Sequence, residues 1–161
     1  MKIMREYDDP AVNKNSLITL REVTKENFRE ILNLEVTPNQ ELFVAPNAYS
    51  IAQAHFEREI AWFRAIYADE TPVGFVMLSD DASEQKYFLW RLMVDARYQK
   101  LGFAKRVLEL LFDYVRTRPG AKEILVSYFL GDDGPQGFYE KLGFVPTGEM
   151  SGREVVMRRD L

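Results

Sequence analysis

The segment Gln99-Lys100-Leu101-Gly102-Phe103-Ala104-Lys105 stands where an apolar, strand-like stretch gives way to the most regular helical pattern in the chain. Such a junction aims a helix N-terminus, whose unpaired amide N–H groups and dipole form a ready site for an anion. Gly102 and the small Ala104 would let phosphate oxygens approach the backbone, and Lys100 and Lys105 add counter-charge. The loop lacks the glycine run followed by Lys-Ser or Lys-Thr of a nucleoside-triphosphatase, and it has one of the three glycines of a dinucleotide fingerprint. Taken alone it reads equally as an anion site or as an ordinary strand-to-helix turn. A second element gives it weight: Gly137-Phe138-Tyr139-Glu140-Lys141-Leu142-Gly143-Phe144 places a phenol on a short helix after the next buried strand.

The elements that must position these groups follow from periodicity. Residues 1–16 mix charges, Pro10 and asparagines without apolar pattern and read as an irregular arm. From 17 to 161 one domain is expected. Ile18, Leu20 and Val23 alternate as in a strand. Thr24 then caps a short helix through Leu34, and Glu35 to Tyr49, with Pro38 and Pro46, reads as a long loop of the kind that often carries function. Ser50 is the expected cap of a second helix running to Arg64. Ala65 to Ala68 and Val73 to Leu78 form a hairpin around Asp69-Glu70-Thr71-Pro72. Lys86 to Asp95 is apolar on both faces and is predicted to be central. Ala104, Val107, Leu108, Leu111, Phe112 and Val115 mark the clearest helix, stopped by Pro119-Gly120. Ile124 to Phe129 is another buried strand, Pro135 to Leu142 a short helix ending at Gly143, and Val145 with Glu154 to Arg158 completes the sheet. This order predicts a mixed α/β domain.

Composition narrows the partners. The 161 residues carry a formal net charge of −4, so no broad positive field would concentrate nucleic acid. There is no cysteine and a single histidine, His55, which excludes disulfides and thiolate chemistry and leaves no recognisable metal-ligand spacing. No apolar run reaches the roughly 18 residues needed to span a bilayer, and Met1 to Ser16 lacks a signal core. No nucleic-acid or membrane partner is expected, and a cytoplasmic location follows as the default expectation.

Considered together, the loop and the tyrosine helix resemble the GNAT superfamily of acyl-CoA N-acyltransferases. The family's loop pattern of Gln or Arg, two residues, Gly, one residue, then Gly or Ala is met by Gln99, Gly102 and Ala104. Its later aromatic-Tyr-x-x-x-Gly-Phe is met by Phe138, Tyr139, Gly143 and Phe144. The resemblance covers residues 18–161. It implies a mostly antiparallel central sheet of six to seven strands with about four flanking helices and two splayed central strands, Lys86 to Val94 and Ile124 to Phe129. Acetyl-CoA is the implied co-substrate, with no metal. Leu92, Met93 and Val94 are implied to line the pantetheine arm, the backbone of Met93 and Val94 pairing with it like an added strand. The amides of Gln99, Lys100, Leu101, Gly102, Phe103, Ala104 and Lys105 would hold the pyrophosphate. Tyr139 corresponds to the tyrosine that hydrogen-bonds the thioester sulfur and protonates departing CoA, although a phenol near pKa 10 is a weaker acid than a thiol near 8.5. The chain departs from the family pattern at Asp132, where asparagine is usual and where a carboxylate could contact pantetheine through water or repel the cofactor's phosphates, at Pro135, where alanine is common, and at Lys100, where many members have glycine.

Within the superfamily the chain is similar to bacterial spermine/spermidine (diamine) acetyltransferases, through Phe43 to Asn47, Pro72 to Met77, Trp90 to Asp95, Ser127-Tyr128 and Thr147 to Glu149. The implied acceptor is a small amine, most naturally a polyamine, whose ammonium groups call for carboxylates and aromatic faces. Glu35, Glu41, Phe43 and Tyr49 on the first loop and Asp80, Asp81 and Glu84 after the hairpin are the candidates, while Trp90 and Arg91 read as packing and structural pairing. Glu35 or Glu41 acting through water, or a water chain alone, could take the acceptor's proton. Another amine acceptor, a regulator that binds acetyl-CoA without turnover, and a ligand-free oligomerisation module are the competing readings. A homodimer is expected, with residues 1–16 and the final strand Glu154 to Arg158 as candidate contacts.

Overall fold

A computed structural model describes residues 11–131 and 134–161. Seven strands form one sheet in the order β1-β2-β3-β4-β5-β7-β6. They are β1 (Ile18–Arg21), β2 (Ala61–Ala68), β3 (Thr71–Asp81), β4 (Lys86–Val94), β5 (Glu123–Tyr128), β6 (Val145–Ser151) and β7 (Glu154–Asp160), with helices α1 (Phe28–Leu32), α2 (Asn47–Phe56), α3 (Phe103–Arg116) and α4 (Gln136–Lys141). Every neighbouring pair is antiparallel except β4 and β5. The expected mixed α/β sheet with a central Lys86-initiated strand is therefore the observed one.

Each face of the sheet buries a separate apolar layer. On one face Val107, Leu108, Leu111 and Val115 of α3 pack against Ile66, Val76, Leu89, Val94, Ile124 and Val126, together with Tyr139 of α4 and Phe144. On the other, Ile31 of α1 and Ala54 of α2 cover Ala65, Tyr67, Phe75, Met77 and Met93. The second layer reaches only as far as β4, so the corresponding face of β5, β7 and β6 is left without a helix.

Two features make the middle of the sheet open. Between Met77↔Arg91 and Leu78↔Leu89 the β3–β4 register slips, which makes Trp90 the extra residue of a β-bulge. Such a bulge bends its strand and sharpens the twist. On the other side, β4 pairs with β5 only at Phe88↔Leu125 and Leu89↔Val126. Beyond the bulge the two strands diverge, and the stretch from Trp90 to Val94 has no strand partner on its β5 side. Gly74 is required next to this opening, because a Cβ there would collide with the Met93 carbonyl oxygen.

Several boundaries differ from the sequence reading. The second helix begins at Asn47, after Pro46, and stops at Phe56. Ser50 is fully buried inside it, its hydroxyl without a partner, because Asn47 has already tied the helix start to the Ile31 carbonyl (2.9 Å). Trp62, Phe63 and Arg64, expected to end that helix, belong to β2. There Trp62 stacks on Tyr114 of α3 (4.6 Å between centroids) and Phe63 packs against Phe75, so tertiary contacts on both faces override a local helical pattern. The chain from Glu154 is not an available docking strand either. It lies inside the sheet, paired with β5 and with β6, which leaves β6 and β1 as the edges. Residues 11–16 form no regular element, yet Arg106 of α3 donates to the Ser16 and Lys14 carbonyls (2.6 and 2.9 Å) and ties them to the domain.

Candidate functional site

The loop after β4 is built to turn amides toward one point. Asp95 caps a single 3-10 turn, Ala96–Tyr98, by accepting from the Arg97 amide. Gln99 is extended (φ −73°, ψ 163°). Lys100 and Gly102 then take positive φ, 65° and 79°, on either side of Leu101, whose φ is not positive. This alternation of hand makes a concave backbone nest suited to an anion. Gly102 is the N-cap of α3 and contributes no side-chain cap, so the first amides of that helix stay free for a ligand. Lys100 holds a conformation in which glycine is preferred, at a cost of about 1 kcal/mol.

Gly102 requires its lack of a side chain for both conformation and access. An alanine there costs about 1 kcal/mol in the left-handed region. Its Cβ meets nothing within 4 Å in the protein and would project into the space beside the nest. For the acetyl-CoA that the family resemblance implies, Gly102→Ala is expected to weaken binding at least about ten-fold with a small loss of stability, the former read by titration calorimetry and the latter by a thermal melt.

Behind the nest sits a network that the sequence reading did not single out. Asp95 is buried, and its carboxylate accepts from the Glu35 amide (3.0 Å), the Arg97 amide (3.0 Å), Arg97 Nε (2.8 Å) and Arg97 Nη2 (3.1 Å). The Ala96 amide in turn donates to the Glu35 carbonyl (2.8 Å). Gln99 Nε2 donates to the Val94 carbonyl (2.9 Å) and to Gln40 Oε1 (2.8 Å). The long α1–α2 loop is thus clamped to the end of β4 at Glu35 and Gln40. The Gln99 side chain acts as a brace and leaves its amide to the nest. The signal for this network was present as a buried-type Asp directly after an apolar strand, but pairing with residue 35 is a tertiary fact.

Tyr139 lies on α4 in the cluster of Tyr128, Phe138 and Phe144, with ring centroids 6.2, 5.4 and 5.4 Å away. Among the described residues its hydroxyl makes no hydrogen bond. Burial, with a further contribution from the negative charge of Glu154, pushes its pKa up to about 12. The phenol therefore stays neutral in the folded protein at any ordinary pH. The linkage sign follows: relative to an unfolded value near 10, the folded state resists ionisation, so stability is intact below pH 10 and is lost as pH rises through 12. Two pH units correspond to about 2.7 kcal/mol. Urea melts between pH 8 and pH 12 are expected to show that fall, and Tyr139→Phe is expected to remove part of it.

The remaining expected site residues scatter. Leu92 and Val94 face the α3 layer, whereas Met93 faces α1 and α2. Glu35 and Glu41 are exposed on the clamped loop. Tyr49 on α2 is exposed and lies within electrostatic range of Arg91 of β4. Phe43 meets Phe129, just past β5, at 6.1 Å, so the loop and the end of β5 approach each other over the open stretch of β4. Asp80 is elsewhere. At the end of β3 that pairs with the start of β4, it accepts from Tyr114 Oη (2.7 Å) and Arg118 Nε (2.9 Å), and its side chain is almost fully buried. Each of its two oxygens thus has a partner on or just after α3, which anchors that helix to the sheet. Asp132 lies outside the described residues. His55 is exposed and contacts Arg58, and among the described residues no group of three or more metal-ligating side chains occurs.

Comparison with known proteins agrees with this architecture. The model of the Acetyltransferase (GNAT) family matches residues 20–144. A spermine/spermidine N(1)-acetyltransferase of Bacillus subtilis is 26% identical over 151 residues, 88% of this chain and 97% of that protein. A solved N-acetyltransferase from Thermoplasma acidophilum, in complex with coenzyme A, superposes with a TM-score of 0.68 at 19% identity, covering 90% of this chain and 99% of that one. A spermidine N-acetyltransferase from Vibrio cholerae superposes with a TM-score of 0.67 at 18% identity, covering 89% and 93%. With a diverging β4–β5 pair, an amide nest at the head of α3 and a family match over most of its length, the chain belongs to the GNAT family of acetyltransferases.

Proposed function

We propose that this protein transfers the acetyl group of acetyl-CoA to a primary amine, and that the physiological acceptor is a polyamine of the spermine/spermidine class. The observation that carries the transferase reading is the open β5-side edge of β4 from Trp90 to Val94, which leads directly into the nest at Lys100 to Gly102. The residues present fit the co-substrate. The unpaired strand edge from Trp90 to Val94 suits an arm bearing amides, and the amides from Gln99 to Lys105 suit a pyrophosphate. Lys100 and Lys105 are exposed beside them. The bound thioester supplies an activated acyl group with a sulfur leaving group.

The chain's own groups do the rest. Tyr139, on the α4 side of the opening, offers a neutral O–H whose natural target is the departing sulfur. With its pKa held at about 12, full proton transfer to a thiolate of pKa about 8.5 is uphill by roughly 5 kcal/mol. The phenol thus acts chiefly by hydrogen-bond donation to developing charge. Tyr128 and Phe144 hold its ring and exclude water.

The names of the relatives support the acceptor class, and exposed Tyr49, Phe43 and Phe129 around the opening offer aromatic faces to a cationic chain. A panel of spermidine, spermine, a short peptide and an amino acid, assayed with acetyl-CoA, tests it. Preference for the polyamines is expected. Acetylation of the peptide alone would move the acceptor class, and no acetylation of any amine would overturn the transferase reading.

A further inference from the structure

The face of the sheet opposite α3 carries one carboxylate at the opening that the sequence reading used only as part of a strand. Alternation along β7 places it. Val155 and Met157 belong to the α3-side layer, so Glu154 and Val156 point to the other face. The same count along β5 puts Ile124, Val126 and Tyr128 with α3, and Leu125 and Ser127 on the opposite side. Past its bulge, β4 sends Leu92 and Val94 toward α3 and Arg91 and Met93 away from it. Arg91 and Glu154 consequently share one face and flank the β4–β5 opening from its two sides. Glu154 begins β7 next to Val155, the partner of Tyr128 at the last pair of β5.

The two charges do not close on each other. Arg91 is half-buried and is held on the β4 side, donating to the Trp90 carbonyl (2.9 Å) and to Gln53 Oε1 of α2 (3.2 Å). Its Nε is buried without a partner. Among the described residues Glu154 makes no ion pair and no side-chain hydrogen bond, although it is partly buried. The next cation on its face of β7, Arg158, is already taken by Glu123 and Asp160. The charge of Glu154 nevertheless acts on both Arg91 and the buried Tyr139, in keeping with its place beside the end of β5. A partly buried carboxylate held near a phenol and a guanidinium, and bridged to neither, retains its capacity for a cation.

On the acetyl-transfer reading proposed above, we infer that Glu154 is the substrate-binding carboxylate that receives the acceptor's ammonium group at the β4–β5 opening, with Tyr49 of α2 as the aromatic wall across from it. Glu35 and Glu41, at the mouth of the clamped loop, and Asp80, at the closed end of the sheet, are not at this position. The role accounts for why a carboxylate is left unpaired where the chain has an arginine within electrostatic range.

Purified full-length protein and the variants Glu154→Gln and Glu154→Asp test this with spermidine as the probe. A charged hydrogen bond lost from a partly buried site raises the spermidine KM about ten- to a hundred-fold. The KM for acetyl-CoA and the melting temperature are expected to stay within experimental scatter, and the Asp variant to recover part of the loss. An unchanged spermidine KM in Glu154→Gln would overturn the inference while leaving acetyl transfer intact. Should the Gln variant not fold, the Asp variant decides, since a shortened carboxylate is still expected to raise KM several-fold. Calorimetric titration of spermidine separates the two readings. Binding to the wild type that is lost in Glu154→Gln supports the site even if no acetylation occurs, and absence of spermidine binding and turnover in the wild type overturns it.

Discussion

Replacing Tyr139 with phenylalanine is expected to lower turnover about a hundred-fold and to leave the acetyl-CoA KM within about two-fold. The substitution removes one oxygen and keeps the ring, whose contacts with Tyr128, Phe138 and Phe144 hold α4 in place. In the proposed function, binding of the co-substrate is assigned to the nest and the β4 edge, which the change does not touch. The loss should therefore fall on kcat. Because the phenol ionises only near pH 12, it imposes no descending limb on the rate profile below about pH 11. The rising limb expected for the wild type should track the acceptor's ammonium, near pKa 10.4 for a lysine-like amine, and should persist in the phenylalanine variant at lower amplitude. Pre-steady-state measurement of the chemical step is the direct check. A variant with wild-type turnover would remove Tyr139 from the chemistry.

The second large effect is structural. Asp95→Ala is expected to destabilise the protein by about 3 kcal/mol, because it removes the buried acceptor shared by the Glu35 amide, the Arg97 amide and the Arg97 guanidinium. For a chain of this size that lowers Tm by about 10 °C. Loop position is lost with it, since Glu35 and Ala96 are held together by the same junction. The KM for acetyl-CoA is therefore expected to rise more than ten-fold even below the new melting temperature. Asp95→Asn offers a sharper comparison. It keeps one acceptor oxygen and loses the charge opposite Arg97, so it should fall between wild type and alanine in both melting temperature and KM. A wild-type melting curve for Asp95→Ala would show that the clamp is redundant.

Much of this protein is legible in its sequence because local physics determines it. The α3 stripe repeats every three to four residues over Phe103 to Arg116 and can bury its apolar side in only one way. Gly102 stands where the chain needs a left-handed residue, and the 99–105 loop is legible because a helix start after a strand is local in sequence. The short helix that carries Tyr139 was legible from Pro135 at its start and Gly143 at its end.

What the tertiary structure decided is of another kind. Trp62 and Phe63 read as helix until β3 and α3 are present to stack against them. Glu154 to Arg158 reads as a free last strand, but its neighbours β5 and β6 are distant in sequence or joined to it by a turn, and only their pairing shows it to be interior. Asp80 looked like an open carboxylate until Tyr114 and Arg118, 34 and 38 residues away, were seen to occupy it. Asp95 and Glu154 changed in the opposite direction, from unremarked charges to a loop clamp and a free carboxylate at the opening. Local sequence sets which backbone conformations and apolar faces are favourable over a turn or two. Which charges remain unpaired at the β4–β5 opening depends on side chains brought together from across the chain, and only folding determines that set.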